Sequence, residues 1–351
     1  MKRMMKLWLA LAVCAALCFA VCACGDKEDE EDTMYYGDAP AESAVCPLDG
    51  EEIENTNDIG DYLFIVSVEN GPDSEPQSGI GEADLLIEVP VEAGINRFLA
   101  FFYHHTPDTI GGVRSARHYF YDIVDAYDAI FAHCGGSPQA YDIIDSGEMK
   151  DMDEMSITSA FHRISEKKSP HNLYTSYEEL SKGAESRNYD KLDLKNCPGF
   201  NFYSEDELNA LSFGGVEELS LNYRFKSVSY RWDEGEGAYQ RYSKGNLHMD
   251  GALDKAVIAD NVVVLYIANS VMDNEGRLDM DIDSGEGELL QNGTVTAINW
   301  DLEKGNGFVF RSAEDGSDIK LIPGRTIIQI ISPENKAEYT PASADDSEVA
   351  D

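Results

Sequence analysis

Basic side chains are scarce in this 351-residue chain: 27 lysines and arginines face 66 aspartates and glutamates, a formal charge of −39. Such a surface repels nucleic acid, teichoic acids and anionic headgroups at long range, which argues against a nucleic-acid partner. Any anionic ligand has to be held in a local basic pocket. Cysteine is sparse as well, with only Cys46, Cys134 and Cys197 beyond residue 24, widely spaced and without a C-x-x-C. These cysteines indicate neither a disulfide framework nor a zinc site, although one pair plus a free thiol fits the count. No G-x-S-x-G, H-E-x-x-H or Walker-type string is present, and Ser115 and Ser137 have no base evident in the sequence, so a serine hydrolase is not supported. Asp279, Asp281 and Asp283 alternate as in a calcium loop, but Ser284 and Leu290 stand where an EF-hand needs Gly and Glu.

At the N-terminus Lys2, Arg3 and Lys6 precede an apolar run, residues 7–21, that is short for a membrane span and reads as an export signal covering residues 1–23. The small residue Ala23 directly before Cys24 resembles the lipobox of bacterial lipoproteins, where that cysteine receives a diacylglyceryl group after cleavage. A chain starting at Cys24 keeps 24 bases against 66 acids, a formal −42. Residues 24–58 are acidic and poor in apolar anchors, which predicts a disordered tether, and residues 333–351 predict a similar tail. The length supports two cores between them.

Short apolar runs predict strands at 62–68, 85–91 and 97–103, the last two joined as a hairpin through 92–96. Residues 129–133 predict another strand and Cys134-Gly135-Gly136 a tight turn. Ser137 as N-cap, with Pro138 at the first helical position, opens a helix through Tyr141 to Ile144. Ser176-Tyr177-Glu178-Glu179 is a capping box. Residues 59–200 are therefore an α/β part, a mixed sheet with flanking helices. Residues 201–332 change texture to short β-branched and aromatic runs between turns, a mostly antiparallel β part.

The chain is organised around residues 110–121. Val113, Ala116, Phe120, Ile123, Val124 and Tyr127 recur at helical spacing, which predicts a helix beginning just after Gly111-Gly112 with Arg114, Arg117 and His118 on another face. Two neighbouring guanidinium groups beside open first-turn N–H groups make a small anion site; equally, both arginines can pair with the abundant carboxylates. The second Gly-rich turn, Gly135-Gly136 with Ser137 and Gln139, is its natural companion, since ligands in open α/β sheets lie beyond the carboxyl ends of strands. His133 at a strand end is either a proton carrier or a hydrogen-bonded core residue. Asp84 and Glu88 share a strand face near Arg97, and Asp84 is the one metal-ligand candidate, for a divalent cation. Lys167-Lys168-Ser169-Pro170-His171-Asn172 reads as a pocket wall or an ordered loop.

The strings Pro76-Gln77-Ser78-Gly79, Arg97-Phe98-Leu99-Ala100, Val113-Arg114-Ser115-Ala116-Arg117, G-G-S-P-Q-A-Y from Gly135 to Tyr141, and P-H-N-L-Y-T-S from Pro170 to Ser176 resemble the YerB-like lipoprotein family of Gram-positive bacteria. The resemblance continues through Arg241, His248, Asp250, Trp300 and Pro323-Gly324, covering residues 60–332. Where that family has Gly-Pro before the arginine string, this chain has Gly111-Gly112. The resemblance implies a lipid-anchored, two-part extracytoplasmic protein and brings no established reaction. A looser analogy, in the order of Asp84, Arg114, Arg117 and the Gly135-Gly136 turn, is to LytR-CpsA-Psr proteins, which transfer polyprenyl-phosphate-linked glycopolymers to the wall.

The reading favours a binding or accessory lipoprotein over an enzyme. It places the chain on the outer face of the cytoplasmic membrane through Cys24, with an envelope ligand or protein partner. The expected anion cleft is lined by Arg97, Arg114, Arg117, His118, His133, Gly135, Gly136, Ser137, Gln139, Tyr141, His171 and Asn172. The enzyme alternative uses the same cleft for phosphoryl or glycosyl-phosphate transfer, with Asp84 holding a divalent ion and His133 or His171 moving a proton. A third alternative is a scaffold that offers an apolar patch on its β-rich half.

Overall fold

The computed structural model describes residues 44–56, 59–224 and 226–342. The export signal, Cys24 and residues 24–43 and 343–351 lie outside the described residues. In the first half the strands are β1 (Ala44–Val45), β2 (Glu52–Ile53), β3 (Phe64–Asn70), β4 (Leu85–Pro90), β5 (Asn96–Phe102), β6 (Ile110–Gly111), β7 (Ile130–His133), β8 (Asp151–Asp153), β9 (His162–Arg163) and β10 (Leu173–Thr175). The helices are α1 (Phe120–Ala126), α2 (Pro138–Ser146) and α3 (Tyr177–Ser186). The second half adds β11 (Val216–Asn222), β12 (Ser227–Asp233), β13 (Ala238–Ser243), β14 (Asn261–Tyr266), β15 (Ser284–Gln291), β16 (Thr294–Glu303), β17 (Gly307–Ser312), β18 (Thr326–Ile331) and β19 (Glu338–Pro341).

Ten of these strands form one sheet in the order β17-β16-β15-β14-β18-β4-β5-β3-β7-β8. Its central strands are near-continuous apolar runs, such as Leu85-Leu86-Ile87 and Phe98 to Phe102, and successive residues point to opposite faces, so the sheet is buried on both. Ile65, Leu85, Ile87, Leu99 and Phe101 face one core with Phe120, Ile123 and Val124 of α1, while Phe64, Val66, Leu86, Phe98 and Ala100 face a second core. That second core is closed by α3, through Leu180 and Ala184, and by Leu219, Tyr230 and Tyr239 of the antiparallel β11–β13 meander. The first half is thus a mixed sheet with helices and the second is mostly antiparallel strands, the pair β14–β18 being parallel. The large sheet itself runs across residue 200, because β18 pairs in parallel with β4 on one side and β14 on the other.

The local signals act where they were expected. Ser137 caps α2 by accepting the Ala140 N–H at 3.2 Å, and Ser176 caps α3 by accepting the Glu179 N–H at 3.1 Å. The helix expected after Gly111-Gly112 begins instead at Phe120. The N–H groups of Val113, Arg114 and Ala116 are taken by the carbonyls of Leu173, Ser67 and Gly135, so this stretch is held extended between neighbouring segments. The tether expected to reach residue 58 gives way to structure at β1 and β2, because Cys46, Leu48 and Ile53 are buried anchors. The tail expected from residue 333 likewise contains β19, paired antiparallel with β11.

One glycine joins α1 to the far edge of the sheet. Gly307 has φ +71° and lies where a Cβ would enter the Tyr127 ring, whose hydroxyl accepts the Phe308 N–H at 3.2 Å. Gly307→Ala therefore forces both a left-handed alanine and a displaced buried ring, and is expected to lower stability by about 1–2 kcal/mol. Urea midpoints check this; an unchanged midpoint contradicts the packing described.

Candidate functional site

At the carboxyl ends of β3 and β7 the strings singled out in the sequence meet. The extended segment 111–117 exchanges bonds with Ser78 at Gly111, passes the Gly112 carbonyl to the Glu69 N–H at 2.9 Å, and takes the Ser67 carbonyl at the Arg114 N–H at 2.8 Å. Farther on, the Arg114 carbonyl accepts from the Cys134 N–H at 3.0 Å, and the Ala116 N–H donates to the Gly135 carbonyl at 2.8 Å. Val113 bonds Leu173 on the far side at 2.7 Å. Residues 76–79, the arginine string, the Gly135-Gly136 turn and the 170–176 string are therefore one hydrogen-bonded junction.

Three side chains converge there. Glu69 is 3% exposed, and its Oε2 accepts from Arg114 Nε at 3.1 Å and from His171 Nδ1 at 2.7 Å. Arg114 Nη2 lies 3.3 Å from that same imidazole nitrogen. The two bases keep 26% and 31% of their side chains in solvent, while Glu69 Oε1 is buried with no hydrogen-bond partner. The close approach is made by Gly112, where a Cβ would stand 2.9 Å from Glu69 Oε1. A carboxylate in this position fixes the imidazole orientation, with Nδ1 taken and Nε2 not needed for the bond, while both bases stay part-exposed.

The other predicted residues have separate environments. Arg117 is buried against Glu92, with Nε 2.8 Å from Oε2 and Nη2 on Oε1, and its Nη1 donates to the Ala116 carbonyl at 2.6 Å. Arg97 lies 3.9 Å from Glu92 and donates to the Ser115 carbonyl; burial, with Arg117 alongside, pushes its pKa down to about 9. His118 pairs with Asp279 at 3.0 Å on the surface. His133 is fully buried, with Nε2 2.7 Å from Asp151 and Nδ1 2.9 Å from the Gly135 carbonyl. Asp153 holds the glycine turn by accepting the Gly135 N–H at 2.8 Å and the Tyr141 hydroxyl at 2.9 Å. Gln139 has a buried Oε1 without a partner, and Asn172 Oδ1 accepts from Arg163 at 3.1 Å. Cys46, Cys134 and Cys197 are all free thiols.

Asp84 does not join the arginines. It precedes β4, whereas Arg114 bonds the far end of β3; the register Phe64↔Phe102 to Asn70↔Asn96 sets these at opposite ends of the strands. Asp84 sits with Asp49, His104 and His105, one donor atom from each lying within 4.8 Å of the others. Burial raises its pKa, opposed by the hydrogen bond from His105, and the bonds to Asp49 and Asp84 raise the pKa values of His104 and His105 respectively. Glu92, which the sequence groups with Asp84, Glu88 and Arg97 around the hairpin, meets Arg117; Asp49, Glu69 and this histidine pair carry roles that no motif marks. The His104-His105 doublet directly after a predicted strand was the available signal; Asp49 carried none.

Among the described residues no helix is long and apolar enough to cross a membrane. Residues 49–190 match the model described as the N-terminal domain of a protein of unknown function (DUF3048), and residues 219–328 match its C-terminal domain. The chain is 32% identical over 329 residues to a Bacillus subtilis (strain 168) protein named "Putative lipoprotein YerB", covering 93% of this chain and 96% of that one. The crystal structure of YerB from Bacillus subtilis superposes with a TM-score of 0.75 at 31% identity, over 85% of this chain and 99% of the other. A match of this extent in both halves means that the chain belongs to the DUF3048 family, whose function is unknown.

Proposed function

We propose that this protein is an exported, lipid-anchored envelope protein that binds a small anionic ligand, of the phosphate-ester or carboxylate class, at Arg114 and His171. The observation that carries the ligand reading is the single buried Glu69 carboxylate holding both bases side by side while each stays part-exposed. Arg97 and Arg117 are turned to Glu92 and backbone carbonyls, so they support the segment from beneath. The strongly acidic remainder makes this basic pair a local exception that discriminates by contact rather than by long-range attraction. Anchoring through Cys24 is supported by the sequence around it and by the word lipoprotein in the relative's name.

The test is thermal unfolding of the chain from residue 25, which contains every described residue, with phosphate, pyrophosphate, a nucleotide-sugar and a polyprenyl pyrophosphate. A ligand at about 100 times its Kd adds about 2.7 kcal/mol, a shift of several degrees, which Arg114→Gln and His171→Gln each remove. Equal shifts in parent and variants, or none up to millimolar ligand, sink the reading.

One geometric feature favours a second reading. The 2.7 Å bond from Glu69 to His171 Nδ1 is the carboxylate–imidazole arrangement used for proton transfer. An envelope phosphoryl or glycosyl-phosphate transferase of the LytR-CpsA-Psr kind would use His171 as base and Arg114 for charge. Turnover of the bound pyrophosphate compound, lost in Glu69→Gln with binding retained, separates this from simple binding.

A further inference from the structure

The group at the opposite end of the strands carries chemistry that the arginine junction does not use. We infer that Asp49, Asp84, His104 and His105 form a divalent transition-metal site, best suited to zinc, that staples the chain's first described segment to the large sheet. The inference stands apart from the ligand reading above and shares no residue with it.

Geometry comes first. Asp84 Oδ1 is 2.7 Å from His105 Nδ1, and Asp49 Oδ2 is 2.9 Å from His104 Nδ1 and 3.7 Å from His105 Nδ1. Four donors about 2.0–2.2 Å from a tetrahedral ion stand about 3.3–3.6 Å from one another. The donors stand from 2.7 Å to at most 4.8 Å apart, so closing on an ion opens the short pairs and draws in the long ones by about an ångström, a side-chain adjustment. Two imidazole nitrogens and two carboxylate oxygens are a donor set for zinc and its neighbours, whereas calcium and magnesium take oxygen ligands.

The surroundings already position the donors. Asp84 Oδ2 accepts the N–H groups of Tyr103 at 2.5 Å and His104 at 2.9 Å, and Asp49 Oδ1 accepts the Glu51 N–H at 2.8 Å. Asp84 Oδ1, which faces the imidazoles, also accepts the His105 N–H at 3.0 Å. These backbone bonds orient both carboxylates, the outer-shell support that metal ligands commonly have, and leave one oxygen of each toward the imidazoles. Charge points the same way. Two aspartates almost wholly out of solvent have the two imidazoles as their ion-pair partners, and a dipositive ion between them would supply compensating charge. His105, 35% exposed, leaves an entry path. Asp49 lies between Cys46 and Ile53, so the ion would tie this segment to the ends of β4 and β5.

The test is calorimetric titration of chelator-dialysed chain from residue 25, without a histidine tag, with zinc chloride in moderate salt and excess magnesium. The expected result is one equivalent bound, with slowed hydrogen exchange at the Glu51, Tyr103, His104 and His105 amides. His104→Gln/His105→Gln is expected to weaken binding at least about 10–100-fold, the loss that even an outer-shell change brings. Should that variant not fold, cobalt(II) in the parent decides: an intense visible spectrum of tetrahedral type supports the site, and a weak octahedral one overturns it. Absence of a one-equivalent phase, unchanged affinity in a folded variant, or many weak equivalents lost to salt, as surface carboxylates would give, each overturns the inference.

Discussion

Glu88→Gln is expected to lower the unfolding free energy by about 3–5 kcal/mol, the loss typical when one partner is removed from a buried charge cluster. Glu88, in β4, is fully buried. Its Oε2 accepts from Arg241 at 2.6 Å, and its Oε1 faces Asn70 at 2.8 Å, Asn96 at 2.6 Å and Lys226 at 3.0 Å. Burial alone would raise its pKa, but Lys226 and Arg241 outweigh it and hold the carboxylate well below the usual range. Lys226 has the converse balance: burial outweighs Glu88 and pushes its pKa down to about 8. A neutral glutamine keeps the asparagine contacts and strands two buried cations. Lys226 can relieve itself by losing a proton; Arg241 cannot. Urea unfolding at neutral pH measures the loss, and a change below about 1 kcal/mol would contradict the described network, being no larger than exposed pairs give.

The same reasoning predicts that replacing the whole cluster is far milder than breaking it. Glu88→Leu/Lys226→Met/Arg241→Met exchanges desolvated charges for apolar volume, a change often near neutral in itself, and what remains is the cost of the Asn70, Asn96 and His248 groups left without their partners. The cluster's value then lies in register. Glu88 comes from the first half and Arg241 and Lys226 from the second, so only the native docking of the β11–β13 meander on the sheet satisfies all three.

What was legible in the sequence follows from what is local. Short apolar runs mark β4, β5 and β7, and the caps Ser137 and Ser176 mark two helix starts, because each signal lies within a few residues of its effect. The spacing after Gly111-Gly112 fits a helix, but the N–H groups a helix would need donate to the carbonyls of Ser67, Gly135 and Leu173, partners distant in the chain. Arg114 and His171 were named as site residues, but Glu69, which joins them, looked like one acid among 66. β15 escaped because its glycines and glutamates resemble a turn. Asp49 lay in a stretch whose acidity resembled a tether, and its burial depends on neighbours that composition does not show.

Acidification should destabilise the fold through His248, before most carboxylates titrate. His248 is 2% exposed; its Nε2 donates to Gln77 Oε1 at 2.8 Å and its Nδ1 faces Arg241 Nη1. A guanidinium only donates, so Nδ1 accepts and the ring is neutral. Burial, then Arg241 and Lys226, hold its pKa well below the ordinary value, with Lys244 acting the same way and Glu88 opposing. An unfolded imidazole takes a proton near pH ~6.5, and the folded one refuses it. The unfolded state thus binds more protons below that point, so stability is intact above about pH 6.5 and falls by up to about 1.4 kcal/mol per pH unit below it, about 3 kcal/mol by about pH 4.5. Other groups titrate in the same range. Burial and Asp281 push Asp122 up to about 6, and burial raises Asp84, both opposing this slope. Those contributions are shared with His248→Asn, which offers Arg241 an acceptor but cannot titrate. The informative quantity is therefore the difference between parent and variant stability from about pH 7 to 5, read from urea midpoints. Convergence as pH falls is the expected outcome. Parallel curves would mean that the imidazole accepts its proton inside the fold and that the Arg241 contact does not hold it neutral.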